Sequence, residues 1–288
     1  MMGLSERARA KINLTLRVLG KRPDGFHELD SIVAFADVGD TVTMAPGKPR
    51  EVLAYGPFAS AITGENLVSR AVALALKAEP RLEIGHIAIE KLLPVAAGIG
   101  GGSADAAAAL RLIRAANPHV AAAIDWNSLA SELGSDVPVC LGNRACRMQG
   151  RGEVLTPLTG LSPLPAVLVN PRVPVPADKT RQVFRILAAP PISPNPERAI
   201  DLPSRSRDWT RFLAAAGNDL EAAAAAVVPA VIVVLAALRA HPSTRLARLS
   251  GAGPTCFALT ATSADADTLA EAISDAHPEW WVRATMLG

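Results

Sequence analysis

The sequence predicts mixed helices and strands arranged in two domains, on three observations. At 288 residues, half of them hydrophobic, the chain is long enough for two ordinary domains with buried cores. Its first fifty residues are dominated by strand-like alternation, whereas later stretches carry apolar residues at helical spacing. Between Leu155 and Pro176, prolines and a glycine gather around a short apolar A-V-L-V run. That shift in composition places the boundary between domains 1–155 and 156–288.

Taken in order, Ala8 to Leu19 alternates, with Ile12, Leu14, Leu16 and Val18 on one face and Lys11, Asn13, Thr15 and Arg17 on the other. This predicts a half-buried strand with a solvated polar face. Pro23, Asp24 and Gly25 form a turn, and Ser31 to Val42 returns as a second strand. Asn66 to Lys77 has the apolar spacing of a helix, and His86 to Glu90 alternates as a strand leading into a glycine-rich loop. A helix follows from Asp125, ending near Gly134. Pro190 to Pro203 lacks periodicity and is expected to be an exposed loop. Helices near Asp208 to Ala216 and Asn218 to Arg239 come next, the latter broken at Pro229. The turn S-G-A-G-P then enters a strand, and a last helix and strand run from Ala264 onward.

Composition excludes several partners. Acids and bases nearly balance at a formal charge of +2 without a basic block, and aromatics make up 4%. Neither nucleic acid nor an anionic membrane is expected, and a small molecule is. Cys140, Cys146 and Cys256 are odd in number and lack C-x-x-C spacing, which predicts buried thiols in a reducing compartment. The N-terminus is charged where a secretory signal needs an apolar stretch, so a cytoplasmic location is expected. The alanine-rich run from Ala222 to Leu238 is interrupted by Pro229 and falls short of a spanning helix.

Pro94 to Asp105 reads P-V-A-A-G-I-G-G-G-S-A-D and runs into an alanine-rich helical pattern. Glycines let the backbone approach an anion and take positive φ, while the helix aims its unpaired N–H groups at the same spot. Ser103 is the expected N-cap, with Asp105 in the first turn, and Gly101 is expected to tolerate no branched side chain. No Lys-Ser/Thr follows the glycines, and Ser103 replaces the third glycine of G-x-G-x-x-G. A third kind of nucleotide loop is therefore indicated, with a plain strand-to-helix turn as the alternative. Three other segments hold possible chemistry: Lys11 with Asn13, Asp136 in L-G-S-D-V-P-V-C at the edge of a core, and His27 in R-P-D-G-F-H-E-L. Singly, each reads as well as a surface or turn residue.

In this order, A-K-I-N-L, R-P-D-G-F-H-E-L, P-V-A-A-G-I-G-G-G-S-A-D-A, L-G-S-D-V-P and L-S-G-A-G-P-T resemble the GHMP kinase family over nearly the whole chain. The resemblance implies a two-domain α+β kinase, its N-terminal domain like the second domain of ribosomal protein S5 and its C-terminal domain ferredoxin-like. R-P-D-G-F-H-E-L and G-S-D-V-P single out the branch that phosphorylates the 2-hydroxyl of a cytidine-diphosphate-bearing sugar alcohol in isoprenoid precursor synthesis. Rival readings are another family kinase, acting on homoserine, mevalonate or a sugar, and a non-catalytic ligand sensor.

The resemblance also implies roles. Pro94, Val95, Ala96, Ala97, Gly98, Ile99, Gly100, Gly101, Gly102, Ser103 and Ala104 would wrap the phosphates of ATP, and Lys11 and Asp136 would be the catalytic pair. His27 and Phe184 would recognise the cytosine, Asn13 would line the methylerythritol side, and Thr180 would be a further substrate-binding residue. Mg²⁺ would accompany ATP, with Ser103 a candidate ligand. The chain departs from the family at Ala96, where glycine is common, at Ala104, where serine is, and at Phe26, where tyrosine is. Ala96 costs little provided its φ is negative. The partners implied are small molecules, and the chain is a monomer or homodimer.

Overall fold

The computed structural model describes residues 3–193, 202–203 and 206–288. In chain order the elements are β1 (Leu4–Asn13), β2 (Arg17–Lys21), β3 (His27–Ala45), β4 (Glu51–Tyr55), α1 (Leu67–Ala78), β5 (His86–Glu90), α2 (Gly101–Ala116), α3 (Trp126–Leu133) and α4 (Val137–Gly142). Then follow β6 (Cys146–Gly150), β7 (Val154–Pro157), β8 (Leu164–Asn170), α5 (Lys179–Leu187), α6 (Ser206–Ala215), α7 (Glu221–Val227), α8 (Ala230–Ala240), β9 (Leu246–Leu249), β10 (Cys256–Leu259), α9 (Ser263–Ala276) and β11 (Trp281–Leu287).

The chain forms two compact units, each assembled from several segments. Residues 3–11, 38–95 and 100–143 form the first. Here β3 runs antiparallel to β5, from Thr41 opposite Glu90 to Ala45 opposite His86, and β4 adds in parallel to β5. Helix α1 starts where the Asn66 side chain accepts a bond from the Val68 N–H, and it buries Val68, Ala71, Val72 and Ala75. That stripe packs on α2, whose buried alanines, Ala104 and Ala106 to Ala109, let neighbouring backbones come close. Asp125 caps α3 through the N–H groups of Asn127 and Ser128, as its position before the apolar pattern predicts.

Residues 12–37, 96–99 and 144–288 form the second unit. Strands β11, β8, β10 and β9 make an antiparallel sheet in that order, with α8 packed on β9 and β10 and α9 on β8 and β11. Val167, Val169, Val234, Leu235, Leu238, Leu269 and Ile273 fill the space between. A capping box between Thr262 and Asp265 starts α9, satisfying two N–H groups that the first turn leaves unpaired. Pro229 separates α7 from α8, as expected of a residue that cannot donate within a helix. The first half of β3 pairs with β2 and β6. Residues 12–37 and 96–99 thus belong to this unit although they precede the composition shift near Leu155.

The predicted strand from Ala8 to Leu19 is interrupted after Asn13, and its polar face is not solvated. Lys11, Asn13 and Thr15 are all buried, because each side chain has a polar partner: Asp136 for Lys11, Ser31 for Asn13, and the Ile32 N–H, which donates to Oγ1 of Thr15. The three cysteines are free and buried, as expected, and burial raises the thiols of Cys140 and Cys256. Of the proline-rich stretch Pro190 to Pro203, residues 194–201 lie outside the described residues; Pro191 bridges to Lys21. Among the described residues, no helix is long and apolar enough to cross a membrane.

Candidate active site

Lys11, near the end of β1, donates from Nζ to Oδ1 of Asp136 at 3.0 Å, bringing together residues 125 positions apart. Asp136 precedes α4 and does not cap it with its side chain. The lysine side chain is 5% exposed and the carboxylate 39%, so a buried cation presents a solvent-reachable base. Gly100 lies against Lys11: a Cβ there would stand 3.2 Å from Cβ of Lys11 and 3.8 Å from Sγ of Cys140. With φ at +66°, Gly100 is also the N-cap of α2.

Ser103 is therefore not the N-cap. Glycines at positive φ close the turn early and start the helix at Gly101, which puts Ser103 in its third position and Asp105 beyond the first turn. No acidic side chain occupies that first turn, so the N–H groups of Gly101, Gly102 and Ser103 and the positive helix end remain available to an anion. Gly101 itself has ordinary space, its nearest neighbours standing at 3.8 Å. The positions that demand glycine are Gly98 and Gly100.

Residues 96–98 lie on the turn between β9 and β10. Thr255 N–H donates to the Ala97 carbonyl at 3.1 Å, and Ser250 Oγ donates to the Gly98 carbonyl at 3.3 Å. Lys179 Nζ donates to the Ala96 carbonyl at 3.0 Å. Three consecutive carbonyls are thus held by hydrogen bonds, and since a trans peptide points its N–H opposite to its C=O, the N–H groups of Ala97, Gly98 and Ile99 each point away from those partners. Ala96 departs from expectation: its φ is +55°, so alanine here bears the steric cost that glycine avoids, about 1–2 kcal/mol.

Beneath α2, Lys91 donates to Asp40 and, at 2.6 Å, to Asp105. All three are buried, and Asp40 also accepts the N–H groups of Leu92 and Leu93. Two carboxylates share one ammonium, and Oδ1 of Asp105 has no partner. Burial, aided by the Asp40 carboxylate, pushes the Asp105 carboxyl up to about 8. Burial opposes the charge on Lys91, but the carboxylates of Asp105 and Asp40 raise it nonetheless. An unfolded Asp titrates near ~3.9. Between about pH 4 and 8 the folded chain therefore holds a proton that the unfolded chain has lost, and stability falls as pH rises through that window. Asp105→Asn should abolish this decline. The excess of its melting temperature over wild type should widen from pH 5 to pH 8, and a constant gap would show that Asp105 is ionised in the fold.

His27, the first residue of β3, stacks on Phe184 of α5 with ring centroids 4.5 Å apart and 21° between planes. Burial, then the charge of Lys21, lowers the imidazole pKa, so it is neutral near pH 7, with one donor and one acceptor nitrogen. Thr180 is exposed one turn before Phe184 on the same helix. Phe26 is half-exposed with the guanidinium of Arg151 5.0 Å over its ring. Asn13 is buried, donating to Ser31 at 2.7 Å, and its Oδ1 has no partner. Sequence reasoning missed Lys91, Lys179, Arg151 and Asn218, whose carboxamide holds the carbonyls of Leu249 and Gly251.

Residues 66–143 match the GHMP kinase N-terminal domain, and residues 199–279 the GHMP kinase C-terminal domain. A 4-diphosphocytidyl-2-C-methyl-D-erythritol kinase of Bradyrhizobium sp. (strain ORS 278) is 47% identical, over 99% of this chain and 97% of that protein. The chain belongs to the GHMP kinase family. A protein of the same name from Rhodopseudomonas palustris (strain HaA2) is also 47% identical, over 99% of this chain and 98% of its own. The crystal structure of a 4-(cytidine 5'-diphospho)-2C-methyl-D-erythritol kinase superposes with a TM-score of 0.78 at 34% identity, covering 99% of each chain. A homoserine kinase from Cytophaga hutchinsonii, 17% identical with a TM-score of 0.68, shares the fold.

Proposed function

We propose that this chain transfers the γ-phosphoryl group of ATP to the 2-hydroxyl of 4-diphosphocytidyl-2-C-methyl-D-erythritol, releasing ADP in isoprenoid precursor synthesis. The observation that carries the reading is the Lys11–Asp136 pair, its lysine against Gly100 at the open end of α2, in a chain whose relatives bear that kinase's name. Asp136 accepts the hydroxyl proton, the resulting alkoxide oxygen attacks the γ-phosphorus, and the bond to the β-phosphate oxygen breaks. Lys11 holds the carboxylate in place at 3.0 Å and offsets charge gathering on the transferring group. Pro94 to Ala104 binds the phosphates through backbone N–H groups.

Mg²⁺ fits what is present. Among the described residues no three acidic, histidine or cysteine side chains gather as a metal cage, which suits an ion held largely by phosphates and water. The half-exposed Ser103 hydroxyl would be its protein ligand, and the ion would neutralise phosphate charge. The neutral His27 and the Phe184 ring would read and stack on the cytosine, with Thr180 beside them and Asn13 ordering the acceptor side through Ser31. Residues 1–155 and 156–288 are the N-terminal and C-terminal domains in this reading, the two family matches falling one in each. Buried free thiols favour the cytoplasm.

A panel of acceptors scored for ADP release tests the assignment. Methylerythritol phosphate without its cytidyl group, homoserine and mevalonate should each show kcat/KM reduced by about 100-fold or more. His27→Ala and Phe184→Ala should each raise the KM for the cytidyl substrate by about 10-fold, one such decade being ~1.4 kcal/mol, with the KM for ATP nearly constant. Equal turnover of a truncated acceptor would leave a kinase of a different branch.

A further inference from the structure

Lys179 occupies a position that neither helix formation nor burial explains. It is the first residue of α5, where the positive end of the helix dipole disfavours a cation. It is 5% exposed, and among the described residues no carboxylate lies within ion-pairing distance. Burial pulls its pKa down to about 8. An ammonium kept under these conditions costs stability unless its donors are well used.

Those donors go to two carbonyls, of Ala96 and Gly253. Both residues have left-handed backbones, with φ of +55° and +67°. One belongs to the glycine-rich loop and the other to the S-G-A-G-P turn, so a single side chain ties the loop to the turn that backs it. Turning the Ala96 carbonyl onto Lys179 directs the Ala97 N–H the opposite way. At Gly253 the following residue is Pro254, which has no N–H to orphan.

We infer that Lys179 is a positioning residue for ATP, its ammonium fixing the Ala96–Ala97 peptide so that the loop presents its N–H groups to the phosphates before the nucleotide arrives. This rests on the kinase reading above. Preorganisation of this kind lowers the ordering cost of binding and leaves the chemical step alone. The effect therefore falls on ATP affinity, while proton transfer at Asp136 proceeds as before.

Lys179→Met keeps the length and removes charge and donors; Lys179→Gln keeps two donors without charge. Calorimetry with a non-hydrolysable ATP analogue should show binding weakened about 10-fold or more in the methionine variant and less in the glutamine variant. The KM for ATP should rise in parallel, with kcat at saturating ATP within about threefold of wild type and the acceptor KM unchanged. A merely structural lysine would lower the melting temperature and leave the KM for ATP of the folded enzyme where it was, and that result overturns the inference. If neither variant folds, acetylation of Lys179 in the wild-type chain, followed by mass spectrometry, decides: the saturating analogue should slow it about 10-fold, and an unchanged rate overturns the inference. Wild-type enzyme that binds no analogue at all would remove the kinase reading and this inference together; normal wild-type binding with an unaffected methionine variant removes this inference alone.

Discussion

Asp136→Asn should lower kcat by about 10²-fold to 10⁴-fold, the usual range for a positioned base, while nucleotide affinity changes little. The carboxamide keeps an oxygen for Lys11 to donate to at the observed 3.0 Å, so the buried ammonium is not stranded and the fold survives. What is lost is the ability to take a proton from the acceptor hydroxyl. Lys11→Met should be comparably damaging, because the carboxylate then loses the adjacent cation and the transferring group loses a neutralising charge. Its effect on stability should be small, since Asp136 is 39% exposed and water can solvate it alone. The double variant should lose less than the product of the single losses, as residues acting as a unit do. Steady-state kinetics on the four proteins decides the matter. Turnover near wild type for Asp136→Asn would take that residue out of the mechanism, and multiplicative losses would dissolve the pairing.

Local pattern carried much of the fold. Apolar spacing located α1 and α3, and Pro229 separated α7 from α8 because a missing donor is a local property. Burial of the polar face of this first segment was not legible, since Lys11, Asn13 and Thr15 alternate like solvated residues and find their partners 125, 18 and 17 positions along the chain. The N-cap rule selected Ser103 for its side-chain oxygen, whereas backbone freedom at Gly98 and Gly100 set the start of the helix. Lys91, Asp40 and Asp105 are each unremarkable in sequence. Only folding shows that two carboxylates share one ammonium, although a lysine between the apolar runs of I-A-I-E-K-L-L-P was a signal. His27 and Phe184 were named through a resemblance, and neither periodicity nor composition could have brought their rings to 4.5 Å. Lys179 gave no sign, because its partners are backbone carbonyls, which have no sequence signature.

Gly98→Ala should cost about 3 kcal/mol or more of stability and weaken ATP binding by about 100-fold. The φ of Gly98 is +78°, and an added Cβ would lie 2.4 Å from the carbonyl oxygen and 2.8 Å from the carbonyl carbon of Gly253. Left-handed backbone alone costs an alanine about 1–2 kcal/mol. The clash falls on backbone, which cannot rotate aside as the tip of a side chain can. Loop and turn must therefore separate, straining the bonds from Thr255 to Ala97, Ser250 to Gly98 and Lys179 to Ala96, each worth about 1 kcal/mol. Once those carbonyls are released, the N–H groups on the opposite side are no longer held for phosphate. Gly102→Ala is the matched control: it sits inside α2 with nothing within 4 Å of the new methyl, and it should be neutral or stabilising by up to about 1 kcal/mol. Chemical denaturation and calorimetry with an ATP analogue on the two variants measure both quantities. A Gly98→Ala protein as stable as Gly102→Ala, binding the analogue as wild type does, would mean that the loop and the S-G-A-G turn are not held together as the 2.4 Å approach requires.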